Sequence, residues 1–295
     1  MPRTIMITGS STGYGKAAAE FFLDKGWNVL ATMRRPENAT FKDTTGRLKL
    51  LPLDITDAAS ISTAIASGIE AFGAIDVFVN NAGIGLASAF EATPDSMTRE
   101  IFETNSFGVF AACQAIIPVM RRQGGGVIIN VTSSAGIGAM PMVAVYCASK
   151  WAVEGFTESL AYELEPFGIK ARLVEPGYAP TTSFTANSGD RMNGLIPEDY
   201  AAYAQAYFGK MANYPTPYCT EKEVAEAIFA AATDDGSQLR YPAGPDTKMV
   251  AALRWTTSDA HYTETMRKTF SPPGRRVRKA WPPRIIHAAA MSIRR

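Results

Sequence analysis

Six short, almost uninterrupted apolar runs punctuate the chain, at Thr4–Thr8, Asn28–Thr32, Leu48–Leu53, Val77–Val79, Val127–Val131 and Ala171–Val174. Strands that read this way have helices covering both of their faces, because a half-exposed strand would alternate apolar with polar residues. Amphipathic stretches of crossover length fall between them, at about 14–25, 57–72, 95–122 and 146–166. The alternation predicts an α/β fold: a Rossmann-type doubly wound parallel sheet in a three-layer α/β/α arrangement, with Gln238–Tyr241 as a seventh candidate strand.

A chain of 295 residues with no compositional break before about 270 reads as a single domain over 1–270. Residues 271–295 differ in kind. They hold seven arginines and lysines, no acid, and the breaks Pro272-Pro273-Gly274 and Pro282-Pro283, so a disordered basic tail is expected. Weak contact of that tail with an anionic membrane surface is its second reading, and no nucleic-acid partner is expected. No apolar run approaches the roughly 20 residues of a membrane span. The strand-like start at Thr4-Ile5-Met6-Ile7 leaves no room for a signal peptide, so a cytoplasmic location is expected. Three scattered cysteines and two histidines supply neither a disulfide framework, a metal site nor a His-based triad.

The first apolar run leads into Thr8-Gly9-Ser10-Ser11-Thr12-Gly13-Tyr14-Gly15 and then a helical stretch. A strand, a glycine-rich turn and a helix N-terminus place backbone N–H groups against a pyrophosphate, and glycine lets the chain approach closely. At the end of the second run, Ala31-Thr32-Met33-Arg34-Arg35-Pro36 offers no carboxylate to ribose hydroxyls and two guanidiniums to a 2′-phosphate. NADP(H) is therefore the expected cofactor.

A tyrosine four residues before a lysine is a cheap pattern, and Tyr218-x-x-x-Lys222 shows it without context. Tyr146-x-x-x-Lys150 differs, because it follows a strand ending in Thr132-Ser133-Ser134. One helical turn apart, Lys150 and Tyr146 share a face, and an ammonium there draws a phenol pKa down toward the working pH. Ser133 can hydrogen-bond a substrate oxygen on which negative charge grows.

Together these segments resemble the short-chain dehydrogenase/reductase family over roughly residues 3–250, through the glycine turn, Asp54, Asn80-Asn81-Ala82-Gly83, Asn105, Ser133, Tyr146-x-x-x-Lys150 and Pro176-Gly177. The resemblance implies a seven-stranded parallel sheet and hydride transfer from a nicotinamide ring. It implies Tyr146 as general acid/base, Ser133 as substrate-orienting hydroxyl, Lys150 as ribose holder and tyrosine tuner, and Asn105 as keeper of a relay water. For the cofactor it implies Gly9, Ser11, Thr12, Gly13, Tyr14 and Gly15 at the pyrophosphate, and Arg34 and Arg35 at the 2′-phosphate. Asp54 and Ile55 would lie at adenine, Asn81, Ala82 and Gly83 along the cleft, and Pro176, Gly177 and Thr181 at the nicotinamide amide. Pro180 departs from the family pattern just before Thr181.

The expected activity is interconversion of a ketone or aldehyde with an alcohol on a small, mostly apolar substrate. Its pocket would draw on Met140, Met142 and an aromatic lid at about 181–220 that holds Phe184, Met192, Tyr203, Tyr207 and Tyr214. The alternative is a non-catalytic NADP(H)-binding sensor on the same fold. A sugar-nucleotide epimerase usually carries a larger C-terminal substrate domain, for which the residues after Thr220 barely leave room. The resemblance also implies a homodimer or homotetramer formed through the helices that carry Phe102, Phe110, Trp151 and Phe156.

Overall fold

The computed structural model describes residues 2–43, 45–179, 191–212 and 217–270. Thr181, Phe184, Tyr214 and the basic tail lie outside these described residues, so only part of the expected lid is among them.

Seven strands form one parallel sheet: β1 (Thr4–Ile7), β2 (Asn28–Met33), β3 (Leu48–Pro52), β4 (Val77–Asn80), β5 (Gly126–Val131), β6 (Ile169–Pro176) and β7 (Arg240–Ala243). Their order across the sheet is β3-β2-β1-β4-β5-β6-β7, and every neighbouring pair is parallel. Successive strand residues point to opposite faces, and both faces of the inner strands β2, β1, β4, β5 and β6 are dry, whereas β3 at the edge stays partly exposed. Ile5, Ile7, Val29, Ala31, Val77 and Val79 pack on one side with α1 (Gly13–Asp24), and residues of the later helix Glu221–Thr233 join them. Met6, Leu30, Phe78 and Ile128 pack on the other with α2 (Ala58–Phe72), with Gly108–Gln123, here α4, and with Ala144–Leu164, here α5.

The chain reverses its direction of travel across the sheet between β1 and β4. At such a switch point the loops leaving the carboxyl ends part and open a crevice, which positions a ligand there. The helix predicted over 95–122 is real but divided: α3 (Asp95–Phe102) passes into one wide π-turn, Glu103–Phe107, before α4 begins. Beyond β6 come α6 (Glu198–Ala212), α7 (Glu221–Thr233), α8 (Pro245–Thr256) and α9 (Asp259–Phe270). No helix among the described residues is long and apolar enough to cross a membrane.

Candidate active site

Every described residue singled out above for cofactor or catalysis sits at the carboxyl ends of the strands or on the helices that follow them. The glycine turn leaves β1 with Gly9 at φ +69° and Gly13 at φ +55°, left-handed backbone that side chains resist. A Cβ on Gly9 would lie 2.8 Å from Ala82 Cα, and one on Gly15 would strike the Gly9 carbonyl and the Asn81 amide. The turn is thus closed down onto the β4 loop. Asn81 Nδ2 donates to the carbonyls of Thr8 at 2.9 Å and Gly9 at 3.1 Å, while Thr8 Oγ1 accepts the N–H groups of Asn81 and Ala82, each at 3.0 Å. Thr12 stands at the N-cap of α1 and makes no side-chain cap. An uncapped helix start with exposed Ser11 and Thr12 fits a pyrophosphate.

Arg34 and Arg35 are exposed at the end of β2, and neither forms a salt bridge among the described residues. Asp54 follows β3 with its Oδ1 accepting the Thr56 N–H at 2.9 Å and hydroxyl at 2.8 Å. Those bonds, with Arg34 nearby, hold its carboxyl below the ordinary range. Ile55 beside it is buried, and its carbonyl lies against Gly108.

Ser133 caps the turn Ser134–Gly136 after β5, its Oγ accepting the Ala135 N–H at 3.1 Å. Its hydroxyl lies close enough to the Tyr146 phenol, near the start of α5, to favour the ionised form of that phenol. Lys150, fully enclosed one turn later, donates to the Val131 carbonyl at 3.1 Å and lies 5.9 Å from the centre of the Tyr146 ring. A Cβ on Gly83 would lie 3.3 Å from Asn105 Oδ1 and 3.5 Å from Lys150 Nζ, which brings the β4 loop, the π-turn and α5 together. Asn105 grips Ile84 through both its N–H and its carbonyl, each at 2.9 Å, and donates to Ser149 Oγ at 3.2 Å. The π-turn aims that amide across the cleft, a use such single wide turns often have.

One electrostatic expectation is corrected. The phenol of Tyr146 is pushed up from its ordinary value, because burial outweighs the Ser133 hydrogen bond that lowers it. Burial also brings the Lys150 amine down to about 8, with the Glu154 charge opposing. The phenol is therefore protonated across the neutral range, and the lysine titrates near it. The other tyrosine–lysine pair serves no such site: Tyr218 donates to the Met211 carbonyl at 2.9 Å and Lys222 pairs with Glu226 at 2.7 Å.

Some contacts were not read from the sequence. Tyr14 crosses the cleft to donate to the Gly177 carbonyl at 3.1 Å, and Asp246 at the start of α8 accepts the Tyr178 N–H at 2.8 Å. Both tie down the Pro176-Gly177 loop. Gly244-Pro245-Asp246 after a strand-like run was the available signal for the second, as a helix start.

Residues 3–192 match the family model described as short chain dehydrogenase. The chain belongs to the short-chain dehydrogenase family. Among curated members it is 36% identical over 261 residues to the uncharacterized oxidoreductase YusZ of Bacillus subtilis, covering 84% of this chain and 91% of that one. It is 39% identical over 200 residues to a 3-ketodihydrosphingosine reductase of Bacteroides thetaiotaomicron, covering 68% and 72%. A solved short-chain dehydrogenase of Streptomyces avermitilis superposes with a TM-score of 0.70 at 27% identity, over 91% of this chain and 97% of that one. Family membership makes the chain an oxidoreductase of the NAD(P)-binding kind.

Proposed function

We propose that this dehydrogenase uses NADP(H) to reduce a ketone or aldehyde on a mostly apolar substrate, with Tyr146 giving the proton. The observation that carries the reading is the convergence of Tyr146, Lys150 and Asn105 at Gly83 and the end of β5, with the Ser133 hydroxyl beside the phenol. Bound NADPH would supply the hydride. Ser133 would then hydrogen-bond the carbonyl oxygen and favour the charge arriving on it, while the phenol, kept protonated by burial, donates its proton to that oxygen. Lys150 holds positive charge beside the developing phenolate. The protonated phenol is the form that reduction requires.

An apolar substrate is supported by the apolar cluster that adjoins the start of α5. Ala89, Met142, Ala204 and Tyr207 are buried in one cluster, with Met140, Ile196, Tyr203 and Met211 half-buried around it, so α6 packs its apolar face against the segment that leads into α5 and Tyr146. The name of the Bacteroides relative, a keto reductase, fits a ketone. Thr181 remains the proposed partner of the nicotinamide amide through the family pattern alone. A dimer or tetramer is supported by Phe107, Trp151 and Tyr162, exposed on the outer faces of the π-turn and α5. Phe110 and Phe156, with ring centres 4.4 Å apart, back that surface. Size exclusion with light scattering should give a multiple of 31.8 kDa.

A panel of ketones and aldehydes of graded size, each assayed with NADPH and NADH, tests the proposal. Turnover should favour NADPH and rise with the apolar bulk of the carbonyl compound; no turnover with any member would refute it. Arg34→Ala should raise the KM for NADPH about tenfold or more and leave that for NADH within about twofold, the worth of one charge-assisted phosphate contact. Equal effects on both cofactors would show that Arg34 does not read the 2′-phosphate.

A further inference from the structure

The inner stripe of α5 docks on the end of β5 almost residue by residue. Tyr146 lies beside Ser133, Lys150 bonds the Val131 carbonyl, and Thr157 accepts the Asn130 amide at 2.8 Å. Glu154 is the remaining member, four residues beyond Lys150 and 3% exposed. Its Oε1 accepts the hydroxyl of Thr132, the residue before Ser133. It also packs on the far side of the same turn, since a Cβ on Gly136 would lie 3.0 Å from Oε1. Its Oε2 pairs with Arg240 of β7.

We propose that Glu154 is a positioning residue for proton transfer: it clamps the Thr132–Gly136 turn that carries Ser133, and it does so one helical turn from Lys150, on the same face of α5.

The surrounding charges make this a shared balance. Glu154 faces Lys150 and Glu158 on its own helix, Arg240 on β7 and Glu175 on β6, with Thr132 the polar contact from β5. Arg240 reaches Glu175 at 3.3 Å and Glu158 at 3.2 Å besides Glu154. Glu175 is fully enclosed, and one of its carboxylate oxygens has no hydrogen-bond partner among the described residues. Burial and the Glu154 charge push its carboxyl up to about 8, so near neutral pH it carries little charge. Burial raises the Glu154 carboxyl as well, while the Thr132 hydrogen bond, Arg240 and Lys150 each favour its charged form, so the ionisation of Glu154 and Lys150 is coupled through this cluster. A buried carboxylate of this kind is expensive unless paired, and its position within one turn of Lys150 gives that cost a use.

The proposal rests on the hydride-transfer reading above, and turnover by the unmodified protein tests that reading separately. Glu154→Gln keeps the shape of the side chain and removes its charge. With a carbonyl that the unmodified protein reduces, kcat should fall about tenfold, both KM values should stay within about twofold, and the alkaline limb set by Lys150 should move to lower pH. Thr132→Val, which loses only the clamp, should lower kcat without moving that limb, whereas Thr132→Ser should retain the activity. Combined with Glu154→Gln it should cost little more than Glu154→Gln alone, as residues acting through one contact do. Hydrogen exchange over residues 130–138 requires no turnover and should be faster in Glu154→Gln and Thr132→Val. Unchanged kcat and pH limb in Glu154→Gln, or unchanged exchange in both variants, would overturn the proposal; the exchange result stands even if no substrate is reduced.

Discussion

Replacing Tyr146 by phenylalanine should lower kcat/KM for carbonyl reduction about a thousandfold, with NADPH affinity within about twofold of the unmodified protein. The magnitude is that of a positioned general acid, which contributes about 10²–10⁴-fold. Packing should survive the change, because the ring keeps its neighbours Ala135, Cys147 and Val143 and only the hydroxyl is lost. The Ser133 hydroxyl remains to orient the carbonyl, so KM for the carbonyl should move little and the loss should fall on kcat. Steady-state kinetics together with an NADPH titration followed by fluorescence separate these terms. A variant that reduces carbonyl compounds as fast as the unmodified protein would remove Tyr146 from the chemistry and leave Ser133 and Lys150 without a proton donor to serve.

What the sequence made legible follows from locality. The six apolar runs mark β1 to β6 within a few residues; for all but the partly exposed edge strand β3 the reason is that strands dry on both faces need no polar alternation, so the signal lies inside each run. The glycine turn was legible for a similar reason: left-handed Gly9 and Gly13 are written in the chain itself. The π-turn at Glu103–Phe107 was not, since it depends on the grip of Asn105 on Ile84, 21 residues away. Tyr14 looks like one more residue of a glycine turn until folding brings its hydroxyl to Gly177, 163 positions later. Glu154 has the same history with Arg240, 86 positions away. The acidity of Tyr146 was misjudged because spacing reports a neighbouring charge but not the depth at which both groups are buried, and depth has the larger effect.

That depth leads to the second large expectation, at Lys150. Lys150→Met should reduce carbonyl turnover by about a hundredfold or more, since it removes the positive charge beside the phenol and the amine that the family pattern assigns to the nicotinamide ribose. The same substitution should stabilise the fold near neutral pH. Burial lowers the folded-state pKa of Lys150 to about 8, whereas an unfolded chain restores it to about 10.4. Between those values the unfolded state binds more protons than the folded one, so stability of the unmodified protein rises with pH through this window. Below about 8 the buried ammonium is charged in both states and its desolvation counts fully against folding. Methionine fills a similar volume without that cost, and the lost hydrogen bond to the Val131 carbonyl returns only about 1 kcal/mol. The net gain should be about 1–2 kcal/mol at pH 7 and should shrink as pH rises from 8 toward 10. Thermal melts of the two proteins at pH 7 and pH 9.5 measure it. A variant that is less stable at pH 7, or whose advantage grows with pH, would mean that Lys150 is held for packing; a more stable, inactive one would mean that the fold tolerates a destabilising charge for the sake of the chemistry.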